Sequence, residues 1–258
     1  MDTSAFTLIG VLYLPPMPGA ANYAGTPIDE IVDGAARDAQ TLRDAGFDAA
    51  LLQNATDVPE LPQVPIETVA AMAVVGAGVR ARCDIPLGIC VAHNDGAAAV
   101  AISYAVGATF VRIKVLTGAA VGAAGLTEAC VAQVAALRSR LPVHINVFAD
   151  VHEVTSVSLG FQDPTQEARQ HVRFGGADGV IFTSDDGASE ALEVIAELKA
   201  ALGPGVPVLI GGRVTEENIG TVRQGADGAV VATSIRTGTE LSGRIDQAKA
   251  TRLACTKT

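Results

Sequence analysis

Short, nearly unbroken apolar runs alternate with longer amphipathic ones along the whole chain. The apolar runs fall at residues 7–14, 49–54, 87–92, 110–115, 144–151, 179–184, 206–212 and 228–234. Most lack the polar residue at every second position that a half-exposed strand would show. That is the pattern of parallel strands covered on both faces. The segments 29–45, 66–82, 95–106, 127–140, 166–174, 189–202, 215–223 and about 244–253 read as helices. Pro65 suits a first helical position, and Thr127-Glu128 suits a cap and first turn. One helix-to-strand joint recurs as Ala45-Gly-Phe-Asp48, Val106-Gly-Ala-Thr109, Gly175-Gly-Ala-Asp178 and Gln224-Gly-Ala-Asp227. Each carries a glycine suited to a left-handed helix end. No linker or low-complexity segment divides the chain. The pattern predicts one α/β domain, a (β/α)8 barrel with eight parallel strands.

Composition narrows the picture. The 258 residues are 49% hydrophobic with mean hydropathy +0.34, and a single barrel runs to about 250 residues. Net charge is −10, no Lys/Arg cluster occurs, aromatics make up 4% and Trp is absent. These features argue against a nucleic-acid partner. No run of about 18 apolar residues predicts a membrane span. The start, Met1-Asp2-Thr3, lacks the basic region of a secretory signal. Cys83, Cys90, Cys130 and Cys255 show no C-x-x-C spacing and read as reduced thiols of a cytoplasmic protein. Cys90, at a strand end, is either a nucleophile or a small core hydrophobe.

Two stretches near the end point to a ligand. Val208-Leu-Ile-Gly-Gly-Arg-Val-Thr-Glu-Glu-Asn218 is an apolar run that breaks at a glycine pair before a helix expected from Thr215. Ala226-Asp-Gly-Ala-Val-Val-Ala-Thr-Ser234 breaks at Thr233-Ser234. In a (β/α)8 barrel the loops after strands seven and eight form the usual phosphate site. Bare backbone N–H groups at glycines and a helix start suit a phosphate dianion. Gly211, Gly212, Arg213, Thr233 and Ser234 are the candidates, against the plainer reading of two ordinary turns.

The other strand ends supply candidate chemistry. Leu14-Pro-Pro-Met-Pro-Gly19 forms a stiff wall after the first strand. Gln53, Asn54 and Asp57 follow the second, and His93, Asn94 and Asp95 the third. Asn94 suits a helix cap, which leaves His93 for the site. Arg112 and Lys114 share a parity on the fourth strand, so both point to one face. Two cations in a barrel mouth need anions, and Asp57, Asp95 and Asp150 can supply them. The result is either a structural ion-pair network or a substrate-anion site. A Schiff-base role for Lys114 is the sharper alternative. The fifth strand ends with Asn146, Asp150, His152 and Glu153. Asp150 and His152 lie on one face, where the carboxylate would orient the imidazole for acid/base work. They could instead hold a divalent metal with Asn54 or Asp57, or form a hydrogen-bonded loop. Thr183, Ser184, Asp185 and Asp186 follow the sixth strand. His144, at the barrel bottom, and His171, mid-helix, read as structural.

The stretches Gly10-Val-Leu-Tyr-Leu-Pro-Pro-Met-Pro-Gly19, Gln53-Asn-Ala-Thr-Asp-Val-Pro59, Asn94-Asp95, Phe110-Val-Arg-Ile-Lys-Val-Leu-Thr-Gly118, Phe148-Ala-Asp-Val-His152 and Gly211-Gly-Arg-Val-Thr-Glu-Glu-Asn218 together resemble the BtpA/SgcQ family. They occur in family order and cover nearly the whole chain. The resemblance implies a TIM barrel. One branch of that family is named for photosystem I biogenesis, and others sit among sugar or secondary-metabolite genes. The chain departs from the family pattern at several strand ends. Gln53 replaces an acidic residue and Lys114 an asparagine. Glu153-Val-Thr-Ser156 replaces a lysine-histidine continuation, Thr183-Ser-Asp-Asp-Gly187 a threonine-glycine phrase, and Arg236-Thr-Gly238 a lysine-aspartate-glycine phrase. Such changes alter a site, not a scaffold.

The expected function is that of a barrel enzyme on a phosphorylated sugar, nucleotide or related metabolite, with lyase, isomerase or glycosyl-bond chemistry. Asp150, His152, His93 and Lys114 are the catalytic candidates. Asn54, Asp57, Asn94, Arg112 and Thr183 join the phosphate loops in substrate binding. No cofactor is predicted, a divalent metal is an option, and a homo-oligomer fits. The alternative is a non-catalytic assembly factor that keeps an old barrel site.

Overall fold

The computed structural model describes residues 6–152, 154–184, 186–238, 241 and 243–256. Eight parallel strands close into a barrel. They are β1 (Thr7–Tyr13), β2 (Ala49–Gln53), β3 (Leu87–Cys90), β4 (Phe110–Ile113), β7 (Asn146–Val151), β9 (Gly179–Phe182), β10 (Val208–Gly211) and β11 (Gly228–Val231). They neighbour one another in the order β1-β11-β10-β9-β7-β4-β3-β2, and β2 pairs back onto β1.

Alternation along each strand divides the apolar side chains between two cores. Ile9, Val11, Leu51, Cys90, Phe110, Phe148, Ile181, Leu209 and Val230 fill the barrel interior. Phe110 and Phe148 meet edge to face, with centroids 5.8 Å apart. Each ring lies over a glycine of the neighbouring strand. A Cβ at Gly88 would collide with the Phe110 ring, and one at Gly179 would come within 2.6 Å of Phe148. Leu8, Leu12, Leu52, Val111, Val147 and Val180 point outward into the second core beneath the helices. Burial of each such side chain contributes about 1.5–3 kcal/mol. This double burial is why the strand sequences are apolar throughout.

The covering helices are α1 (Ile28–Asp44), α2 (Ile66–Arg82), α3 (Gly96–Val106), α4 (Val131–Arg138), α5 (Pro164–Arg173), α6 (Ala188–Leu202), α7 (Ile219–Gly225) and α8 (Gln247–Cys255). Asp95 caps α3 by accepting from the Ala98 N–H, and Gly107 ends it at φ 72°. The capping residue is therefore Asp95 and not Asn94. Pro65 is the N-cap of α2, one position before the first helical turn. Helix α7 starts at Ile219 instead of near Thr215, because the Asn218 side chain holds the Thr215 N–H in a preceding turn. The last helix begins at Gln247, capped by Asp246. Of the recurring joints, that at Gly225 lacks the left-handed glycine; Gly46, Gly107 and Gly176 have it.

The largest correction concerns 127–140. Residues Gly125–Glu128 form a strand, β6, and the helix begins only at Val131. β6 forms a hairpin with β5 (Ala119–Gly122), and β8 (Ser156–Ser158) adds to the other edge of β5. This small antiparallel sheet arises from the loops after β4 and β7. It stands over one side of the barrel mouth.

Candidate active site at the barrel mouth

Inside the mouth, Arg112 and Asp150 form a two-pronged ion pair. Nε and Nη2 donate to the two carboxylate oxygens at 2.8 Å each. Burial opposes the charge on Arg112, but the Asp150 carboxylate outweighs it and holds the guanidinium above its ordinary pKa. Asp150 is 3% exposed, so its charge depends on this partner. Its backbone carbonyl faces His171 Nε2 at 3.0 Å. His171 is fully buried and its Nδ1 meets Thr117 Oγ1 at 3.0 Å, so the ring ties α5 to the barrel.

Arg112, Asp150, Thr183 and Gly212 line one cavity of about 140 Å3, with Tyr13 on its wall. The barrel thus brings four of the expected residues to one place. Gly211 lets the Thr183 hydroxyl approach the β10 backbone, because a Cβ at 211 would strike Thr183 Oγ1. Gly212 and Arg213 adopt left-handed conformations, φ 68° and 52°. Arg213 carries a side chain there, a geometry that costs roughly 1–2 kcal/mol. The Gly212 N–H reaches the Val230 carbonyl at 3.4 Å. A single 3-10 turn, Thr233–Ile235, follows β11. The first N–H groups of such a turn have no partner within it. The Ser234 hydroxyl donates to the Val214 carbonyl at 2.7 Å and ties the two loops together.

On the other side of the mouth, Lys114 and His93 meet around a residue that the sequence reading missed. Glu60 Oε2 lies 2.8 Å from His93 Nδ1 and 3.4 Å from Lys114 Nζ, and Lys114 Nζ is 3.5 Å from the same ring nitrogen. Burial pushes the Glu60 pKa up, but the His93 hydrogen bond and the Lys114 charge prevail and hold it below the usual range. His93 and Lys114 are both buried. The counter-ions of Arg112 and Lys114 are therefore Asp150 and Glu60. Asp95 caps α3, and Asp57 serves a loop. Glu60 sits in the Pro-rich loop between β2 and α2, where neither strand parity nor helical spacing can place a side chain. The Val58-Pro-Glu-Leu-Pro62 phrase is its one signal, an acid fixed between prolines.

Asn54, Asp57 and Asn94 hold backbone. Asn54 accepts from the Ala92 N–H at 2.8 Å and donates to Asp57 Oδ2 at 2.7 Å. Asp57 accepts from the Met17 N–H at 2.8 Å, which anchors the proline-rich wall after β1. Burial raises the Asp57 pKa above its ordinary value, against the pull of these hydrogen bonds. Asn94 accepts from the Val115 N–H and donates to the Val115 and Glu128 carbonyls, so it joins β3, β4 and β6.

His152 departs from the expected strand face. The strand ends at Val151, and His152 takes φ 60°. Its ring is exposed and stacks on Phe182 at 6.0 Å. It lines a cavity of about 350 Å3 that also includes Lys114, Ser156, Ser158 and Glu167. Glu153 and Asp185 lie outside the described residues. Cys90 faces the barrel interior, and burial pushes its thiol up to about 11, so it is protonated at neutral pH. It is a packing residue, not an activated nucleophile.

A second arginine shapes the mouth. Arg236, 1% exposed, donates to the Val11 and Gly243 carbonyls and covers the Tyr13 ring at 4.8 Å. It locks the loop after β11 to the end of β1. Burial lowers its pKa and raises that of Tyr13, whose phenol is thereby kept protonated. Among the described residues, no group of three His, Cys, Asp or Glu side chains could hold a metal ion. No described helix is long and apolar enough to cross a membrane.

The model of the BtpA family matches residues 4–257. An uncharacterised protein of Pyrococcus horikoshii is 40% identical over 249 residues, which cover 96% of this chain and 94% of that protein. The photosystem I biogenesis protein BtpA of Synechocystis is 32% identical over 241 residues, 93% of this chain and 83% of its own. Among solved structures, N-(5'-phosphoribosyl)anthranilate isomerase from Pyrococcus furiosus has the same fold, with a TM-score of 0.58, 12% identity and 98% of both chains covered. The chain is a TIM barrel and belongs to the BtpA family.

Proposed function

We propose that this barrel is an enzyme acting on a phosphorylated small metabolite by acid/base chemistry of the lyase, isomerase or glycosyl-bond kind. The observation that carries the reading is the shared cavity of Arg112, Asp150, Thr183 and Gly212. It joins a buried guanidinium to the left-handed turn after β10, beside the 3-10 turn after β11. Backbone N–H groups and a fixed cation are what a phosphate requires. Gly211, Gly212, Arg213, Thr233 and Ser234 form the phosphate cradle, with Thr183 and Arg112 on its inner side. A solved structure of the same fold is an isomerase of a phosphoribosyl compound, in keeping with this substrate class.

A thermal-shift screen against inorganic phosphate, ribose 5-phosphate and nucleoside monophosphates tests the reading. A ligand at about 100 times its Kd stabilises the fold by roughly 2.7 kcal/mol. Thr233 is exposed, so Thr233→Asp places a negative charge in the cradle without disturbing the core. A shift for one ligand class that disappears in Thr233→Asp is the expected result. No shift with any of these ligands would end the phosphate reading.

One observation favours the second reading, a non-catalytic assembly role. Val157, Val121 and Leu126 stand opposite one another across the small sheet and are all exposed. This apolar row would suit a protein contact, and a relative is named for photosystem I biogenesis. The charged mouth favours the enzyme.

A further inference from the structure

His93 follows β3, and the Gly212 turn of the phosphate cradle follows β10. Between β3 and β10 there are four steps round the closed barrel in either direction. The loops after β3 and β10 therefore face each other across the mouth. His93 and Glu60 line a cavity of about 370 Å3 beside the β5–β6 hairpin, walled by Ala55, Pro59, Ala124 and Thr127. Asp57, Glu60 and His93 are the ionisable residues of its otherwise mainly apolar lining.

We infer that His93 is an acid/base residue acting, in this cavity, on the end of the substrate remote from its phosphate, with Glu60 as its positioning residue. The inference rests on the enzyme reading above and narrows its substrate class. The substrate is an elongated phosphomonoester whose reacting end carries an acidic C–H or O–H.

The geometry assigns the ring nitrogens. Glu60 is ionised, so its oxygen accepts and Nδ1 at 2.8 Å must carry the proton. Nε2 is then the nitrogen left for substrate, and it makes no hydrogen bond among the described residues. His93 lines the cavity wall. A carboxylate that fixes the tautomer and faces the imidazolium is the standard way to equip a histidine for proton transfer. In the step itself, Nε2 takes a proton from the substrate carbon or hydroxyl. The bonding pair stays on the substrate as an enolate or alkoxide, and the new imidazolium charge faces Glu60. Returning the proton to a different atom completes an isomerisation; returning it to a departing oxygen completes an elimination.

Diethyl pyrocarbonate, which acylates a bare imidazole nitrogen, probes this without knowledge of the substrate. The protein has four histidines, read separately by peptide mass spectrometry. His144 and His152 are exposed, and His171 is fully buried. We expect His93, although only 6% exposed, to react at a rate comparable to His144 and His152 while His171 stays unmodified. Glu60→Gln should slow His93 several-fold and leave His144 unchanged. A His93 as silent as His171, or one that reacts equally in Glu60→Gln, overturns the inference. Nitrogen NMR of the unsubstituted protein gives a second reading that needs no variant. It should show the His93 proton on Nδ1, and the opposite tautomer also overturns the inference. Neither measurement uses a phosphorylated ligand, so failure of the phosphate screen and failure of this assignment are distinguishable.

Discussion

On the β10–β11 side of the mouth the proposed phosphate cradle consists of backbone and small side chains: Gly211, Gly212, Thr233 and Ser234. On the β3–β4 side they are ionisable: Glu60, His93 and Lys114, within 3.5 Å of one another. The first side carries no charged side chain in that set, and its Gly212 N–H and Ser234 hydroxyl bond the Val230 and Val214 carbonyls. The second needs mutual neutralisation, because its charges are buried. The Arg112–Asp150 pair stands between them. In the proposed reading, binding falls to the β10–β11 loops and chemistry to the charges on the β3–β4 side.

The pair between the two sides should give the largest effect. Asp150→Ala leaves Arg112 buried without its carboxylate and should destabilise the protein by about 3–5 kcal/mol, read by urea unfolding. A loss below about 1 kcal/mol would mean that the pair is not a buried one. Next comes the charged side. Glu60→Ala removes the carboxylate's hydrogen bonds to His93 and to the Lys114 ammonium and should cost about 1.5–3 kcal/mol at neutral pH. The sign of its pH dependence follows from the lowered folded pKa of Glu60. The contribution is fully present above the ordinary carboxylate pKa of about 4.3, and it vanishes as pH falls through the folded value. Stability curves of the two proteins should therefore converge in acid, and parallel curves would refute the ion pairing. On the backbone side, Ser234→Ala removes one neutral hydrogen bond and should cost about 1 kcal/mol without pH dependence. Outside both, Val157→Ser on the exposed row of the small sheet should change stability by less than about 0.5 kcal/mol. A larger loss there would mean that the row packs against something in solution.

Much of this was legible before the structure. The strands were readable because barrel strands are apolar on both faces, and the parity of Arg112 correctly placed it in the mouth with Asp150. The glycine turn was readable because Gly211-Gly212 interrupts an apolar run. Other features were not. Asn94 and Asp95 are both good caps by type, and only the chain path decides that Asp95 bonds the Ala98 N–H. The hairpin at Ala119–Glu128 was hidden because Ala and Gly dominate it and give no period. His152 was misplaced because the strand ends one residue earlier, and beyond a strand end alternation no longer fixes direction.

By itself the sequence determined the alternation of strand and helix, the closure of a single barrel and which strand ends would carry charge. Each follows from local periodicity and from the exclusion of water from apolar runs. The tertiary structure decided which charges meet. It paired Lys114 with Glu60 across 54 residues and Arg112 with Asp150 across 38, and it set His93 opposite the Gly212 turn. Those choices depend on where loops of different strands come together when the barrel closes, and no local pattern encodes that distance.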